Sequence, residues 1–169
     1  FETHVTFDDV LLVPQYSDIK SRSEVTLKSE ISEGLELRVP IISAPMDTVC
    51  GEMMAHRLSE FGALGIIHRY NTIEQQAKLV SKASKNGLQI VGAAIGITGD
   101  YIERATALVE AGAQVLCLDV AHGDHVLMHV GAHNIVDRFS SIAHVMAGNV
   151  ATYTGALALG HIGVDSVRV

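Results

Sequence analysis

Five polar residues stand at the ends of short apolar runs: Asp47 after "PIISAPM", His68 after "LGII", Asp119 after "VLCL", Asn149 after "VMAG" and Arg168 in "SVRV". Residues of these types recognise small ligands. A carboxylate can accept two hydroxyl hydrogen bonds from a sugar, an amide can both donate and accept, and a guanidinium can hold an anion. The stretch "LCLDVAHGDH" shows the pattern most plainly, because a run fit for a buried strand ends abruptly in an acid. An acid there has a use if the C-terminal end of the strand opens on a ligand. Plainer readings stand beside these. Asp119 could be a helix N-cap or turn former, Asn149 a turn residue, Arg168 half of a surface ion pair, and His68 and His122 hydrogen-bonded loop residues.

What positions these side chains is a rhythm. Six apolar runs, "VPIISAPM", "ALGIIHR", "LQIVGAAIG", "AQVLCLDVAHG", "AHVMAGNVAT" and "DSVRV", recur about every 25 residues, close to the period of a β/α unit in an eight-fold barrel. Between them lie five amphipathic stretches, "GEMMAHRLSEFG", "TIEQQAKLVSKASKNG", "GDYIERATALVEAGA", "HVLMHVGAHNIVDRFSS" and "TYTGALALGHIG". Each has helical spacing, and most end at a glycine suited to a left-handed cap. The strand runs are continuously apolar, which predicts a parallel sheet covered on both faces. Before them comes a polar third of loops and short strands, over "VTFDDVLLV" and "SEVTLKSEI".

The predicted fold class is therefore α/β, a TIM (β/α)8-type barrel, incomplete at about six of its eight units, in one domain over residues 1–169. A doubly wound open sheet fits the same rhythm but collects its ligand at one Gly-rich turn, and no G-x-G-x-x-G occurs. Polar residues at several strand ends point instead to a shared rim. Gly123 is expected to let the backbone turn tightly after Asp119. Met53 and Met54 are expected to fill the core.

Composition narrows the function. A chain of 169 residues with 48% apolar side chains can bury one substantial core. The net charge of −7 disfavours nucleic acid and anionic membrane as partners. No long apolar span or signal-like N-terminus occurs, so a soluble cytoplasmic protein is expected. Cys50 and Cys117 read as reduced, structural thiols. G-x-x-x-x-G-K-[ST], H-E-x-x-H, C-x-x-C and G-x-S-x-G are all absent. Nucleotide triphosphatase, zincin, thioredoxin-like and serine hydrolase chemistry therefore leave the leading list.

The series "TFDDVLLVP", "PIISAPMDTV", "GALGIIHRYNTIEQQ", "VGAAIG", "LDVAHG" and "MAGNVAT", in this order, resembles the catalytic barrel of the IMP dehydrogenase and GMP reductase family. The resemblance runs from about Val5 to Val169. It implies hydride transfer between a nicotinamide and C2 of a purine nucleotide, through a covalent cysteine adduct. On the substrate side it implies Ala44 and Met46 under the base, Asp47 fixing their loop, Asn149 near the reacting carbon and Arg168 as a cation beside the catalytic loop. On the cofactor side it implies Asp119 at the ribose, with Val120, Ala121 and His68. NAD is the implied cofactor, NADP the alternative, potassium a further ligand of the complete protein and a homotetramer its assembly.

The chain also departs from the family pattern. Neither cysteine matches the nucleophile, which is expected beyond Val169, and the usual inserted regulatory pair is absent where "SKASKNGLQIVGAAIG" passes from helix to strand. An open barrel is expected to leave two sheet edges and an apolar interior exposed, and the chain alone to be catalytically inactive. "DVAHG", "SAPMDTV" and "NTIEQQA" look more like the dehydrogenase, which oxidises IMP to XMP. "DIKSRSEVTL" and "MAGN" lean to the reductase, which converts GMP to IMP. Two other classes stay open. One is a noncatalytic fragment that binds nucleotide or another subunit. The other is a metal site on the helical stripe of His125, His129 and His133, with Asp119 or Asp124 as a further ligand.

Overall fold

The computed structural model describes residues 5–85 and 89–169. After a 3-10 turn at Phe7–Asp9 and a second at Arg22–Glu24, an antiparallel hairpin forms from β1 (Ser29–Ser32) and β2 (Leu35–Leu37). Then come α1 (Glu52–Phe61), β3 (Gly65–Ile67), α2 (Ile73–Ser84), β4 (Val91–Ile95), α3 (Tyr101–Glu110) and β5 (Val115–Asp119). The chain continues through α4 (Val126–Phe139), β6 (His144–Gly148), α5 (Tyr153–Ile162) and β7 (Ser166–Arg168). Strands β3 to β7 pair in sequence order, all parallel.

The helices form for local reasons. Thr72 caps α2, its hydroxyl accepting from the Gln75 amide at 3.2 Å while Gln75 answers to the Thr72 amide, a capping box. Helices α1 and α5 end at Gly62 and Gly163, both left-handed, as their sequences predict. Helix α2 instead ends at Lys85, a left-handed non-glycine. The direct passage to β4 expected there runs through residues 86–88, which lie outside the described residues.

The arrangement of the two cores separates a barrel from a doubly wound sheet. Strand residues Ile67, Ala93, Ile95, Leu116, Leu118 and Val145 cluster with helix residues such as Val80, Leu108, Met128 and Ile135. Their alternates, Ile66, Ala94, Val115, Cys117 and Met146, cluster with Leu35 and Leu37 of the hairpin. So the helices cover one face and the hairpin the other, which is the inside-and-outside plan of a barrel. The sheet is not closed, because the order runs from β3 to β7 without returning.

Four sequence expectations change here. The run "VPIISAPM" makes no full strand and keeps only the parallel bridge of Ile42 to Leu64. Pro40 and Pro45 flank it and remove amide donors that a ladder needs. The segment "VTFDDVLLV" is a capped turn and an extended arm, with Leu11 and Leu12 at 95% and 99% exposure. The inner face of the sheet is not left bare, because the hairpin buries Leu64, Ile66 and Cys117 completely. Met53 and Met54 do not fill the core; they are 82% and 46% exposed. Helix α1 seats on β3 through Ala55, whose backbone lies where a Gly65 side chain would stand, and this close approach leaves both methionines outward.

Candidate functional site at the strand ends

Parallel pairing fixes one end of the sheet for every strand terminus. Residues Asp119, Gly148 and Arg168 stand in register across β5, β6 and β7, and His68 follows β3 directly. The turn at 44–50 joins the same rim, since Ser43 donates its amide to Leu64, just before β3, and its hydroxyl accepts from the Ile66 amide of β3, while the His68 amide donates to the Cys50 carbonyl at 3.3 Å. Thus Asp47, His68, Asp119, Asn149 and Arg168 gather at the C-terminal end, where barrels build their sites. A recess of about 320 Å³ opens beside them, lined by Val5, Thr6, Val10, Val150, Ala151 and Val169. A second cavity of about 330 Å³ lies under the opposite, N-terminal ends, with Gln114, His144 and Asp165 in its wall.

Arg168 Nη1 donates to Asp119 Oδ1 at 2.8 Å and to Cys117 Sγ at 3.3 Å. The Asp119 and Arg168 side chains are 21% and 23% exposed, so this is a sheltered pair and not a loose surface bridge. Asp119 is no helix cap, since α4 starts later and is capped by His125, whose Nδ1 accepts from the Leu127 amide. Asp119 Oδ2 has no hydrogen-bond partner among the described residues.

Asn149 is held by its backbone. Its amide donates to the Val120 carbonyl at 3.0 Å, and its carbonyl accepts from the Gly123 amide at 2.6 Å. A Cβ on Gly123 would meet the Asn149 oxygen at 2.7 Å, and one on Gly148 would meet the Arg168 oxygen at 2.6 Å. The glycine at 123 is thus required by close approach and not by a left-handed turn. The Asn149 side chain makes no hydrogen bond among the described residues.

The remaining assigned positions are less tightly set. Ala44, Met46 and Asp47 are exposed, and Asp47 Oδ1 accepts from the Thr48 amide at 3.0 Å, so this carboxylate fixes its own turn. Val120 donates its amide to the Gly148 carbonyl, and Ala121 is exposed beside it. His68 lies 3.3 Å from the Asn71 amide nitrogen and stacks on Tyr70.

Behind His68 lies a polar network that sequence reasoning missed. Gln76 is fully buried, donates to the Ala94 carbonyl at 2.8 Å and more distantly to Ile67, and accepts from Arg104 at 2.8 Å. Arg104 also holds the Asn71 carbonyl at 3.1 Å. No local signal marks Gln76, which reads as one more polar residue in "TIEQQ".

The two thiols are structural. Both are buried, and burial raises each pKa, that of Cys117 up to about 11 despite the nearby Arg168. Between pH about 9 and about 11, an unfolded Cys117 ionises while the folded one stays neutral, so folding stability falls as pH rises through that window. We expect a loss of roughly 2–3 kcal/mol from this group. Urea denaturation at pH about 8 and about 10.5, wild type against Cys117→Ala, should show a smaller alkaline loss in the variant.

The histidines of the stripe on α4 each lie beside a different group. His129 pairs with Asp124 at 3.1 Å, His133 with Asp137 at 3.0 Å, and His125 caps α4. Among the described residues no three potential ligands converge.

Fold and rim together define an open parallel β/α barrel segment whose C-terminal mouth carries polar and charged side chains. The chain belongs to the IMP dehydrogenase / GMP reductase family, whose domain model matches residues 4–169. It is 26% identical over 292 residues to the inosine-5'-monophosphate dehydrogenase of Nitrosopumilus maritimus, covering 100% of this chain and 61% of that protein. It is 33% identical over 212 residues to that of Cryptosporidium parvum, covering 98% and 50%. A GMP reductase of Leishmania donovani is 40% identical over 81 residues, 48% of this chain and 16% of that protein. The chain thus spans 61% and 50% of the two dehydrogenases.

Proposed function

We propose that these residues form the nucleotide-binding part of an oxidoreductase that oxidises IMP to XMP with NAD. The observation that carries this reading is the convergence of Asp119, Asn149, Arg168 and the 44–47 turn on one end of a parallel sheet, in a chain that matches the family throughout. Asp119 suits the ribose of the dinucleotide: one carboxylate oxygen is held by Arg168 and the other is open to a hydroxyl. Val120, Ala121 and His68 form the wall beside it. Ala44 and Met46 offer exposed apolar surface to the purine, Asp47 fixes their turn, and Asn149 presents its amide to the reacting end. Bound NAD supplies the hydride acceptor.

Adduct formation at C2 needs a thiolate, and the burial and raised pKa of Cys50 and Cys117 speak against either. We assign the nucleophile to a residue outside these 169 and expect this chain alone to bind nucleotide without turnover. The homotetramer, the potassium ion, NAD over NADP and a cytoplasmic setting belong to the same reading. The net charge of −7 supports the exclusion of nucleic acid and anionic membrane. Among the described residues no helix is long and apolar enough to cross a membrane.

The test is spectroscopic. The complete protein with IMP and NAD should produce reduced nicotinamide, and the 169-residue chain should not. Turnover by the short chain overturns the assignment of the thiol. Oxidation of NADPH with GMP, without activity on IMP, establishes instead the reductase reading, which the Leishmania donovani relative favours.

A further inference from the structure

Arg69 follows His68 at the end of β3, and its guanidinium reaches sideways across the rim. Its Nη1 lies 3.8 Å from where a Cβ on Gly96 would stand, just past the end of β4. Its Nε is cut off from solvent and has no hydrogen-bond partner. Among the described residues no carboxylate pairs with it; its contact is the face of Tyr70, 5.4 Å from the ring centroid. The other rim arginine differs, since Arg168 is matched to Asp119 at 2.8 Å. A desolvated donor on an unpaired cation is costly to keep, and such groups concentrate where a ligand completes them.

Resting on the nucleotide reading above, we propose that Arg69 is an anion subsite between the ends of β3 and β4, which takes a phosphoryl group of a bound nucleotide. The chemistry is specific. A guanidinium presents forked donors that match two phosphate oxygens, and the Tyr70 ring lies beneath its central carbon at 5.4 Å. Gly96 keeps the approach open, because a side chain there would stand beside Nη1. The phosphoryl group can come from the purine mononucleotide or from the dinucleotide pyrophosphate. Each source has an unphosphorylated counterpart, so the two can be told apart.

The experiment measures binding by calorimetry in wild-type protein, Arg69→Gln and Arg69→Lys, using IMP against inosine, NMN against nicotinamide riboside, and inorganic pyrophosphate. Arg69→Gln should weaken at least one phosphorylated ligand roughly tenfold to a hundredfold and leave its nucleoside unchanged, and Arg69→Lys should recover part of the loss. The affected pair names the source. Thermal unfolding without ligand should be unchanged or slightly raised in Arg69→Gln, since an unpaired buried donor has been removed. A lowered unfolding temperature with unchanged phosphate discrimination overturns the subsite and makes Arg69 structural. Nucleotide binding that ignores Arg69 defeats the subsite and leaves the functional reading standing. Pyrophosphate binding that depends on Arg69, without any purine preference, leaves the subsite and defeats the functional reading. Failure of every phosphorylated probe to bind wild type overturns both.

Discussion

Asp119→Ala is expected to lower kcat/KM for the dinucleotide about a hundredfold in the complete protein, the equivalent of about one strong charge-assisted hydrogen bond to a ribose hydroxyl. Two effects combine in that variant. The ligand loses the carboxylate, and Arg168 loses its partner at 2.8 Å. The second effect also acts on the fold. Because the pair is about one-fifth exposed, solvent screens it, and the stability cost should be about 1–2 kcal/mol. Asp119→Asn separates the two, since the amide keeps the shape and one acceptor for Arg168 but loses the charge. Steady-state kinetics and urea denaturation on both variants check the argument. If both lose stability while dinucleotide KM and kcat hold, Asp119 is only the counterion of Arg168.

Gln76→Ala is expected to cost about 3–4 kcal/mol of folding stability, mostly through groups it leaves unpaired. Its amide bonds the Ala94 carbonyl at 2.8 Å, and its oxygen receives Arg104, a guanidinium only 11% exposed. Removing the side chain strands an acceptor and weakens the hold on a sheltered charge. Gln76→Leu restores volume without restoring either bond, so it should remain nearly as unstable; full recovery in that variant would show packing alone at work. The network also reaches the rim, because Arg104 holds the Asn71 carbonyl and Asn71 holds that of His68. Variants at Gln76 that still fold should therefore loosen His68 as well.

Much of this molecule is legible along the chain because its information is periodic. Continuous apolar runs alternating with helical spacing place β3 through β7 and all five helices within a few residues of where they stand. The polar rim is legible for the same reason. In a parallel sheet the C-terminal ends share a side, so Asp119, Asn149 and Arg168 must meet once their strands are known. The series from "TFDDVLLVP" to "MAGNVAT" was enough to place the chain in its family.

Which groups satisfy one another emerges only once the chain is folded. Sequence spacing treats Asp119 and Arg168 as two separate ligand contacts, whereas folding joins them across 49 residues into one ion pair. It treats Gln76 as a surface residue, yet α2 carries that amide onto the end of the sheet. Met53 and Met54 look like core residues until the close seat of Ala55 on Gly65 leaves them outward. The hairpin that closes the inner face carries no pattern of its own, since two leucines in a polar stretch become a plug only against Ile66, Cys117 and Met146. Periodicity is a property of neighbours in the chain, and it fixes the elements. Partnership is a property of distance in space, and it fixes which charges stay free for a ligand.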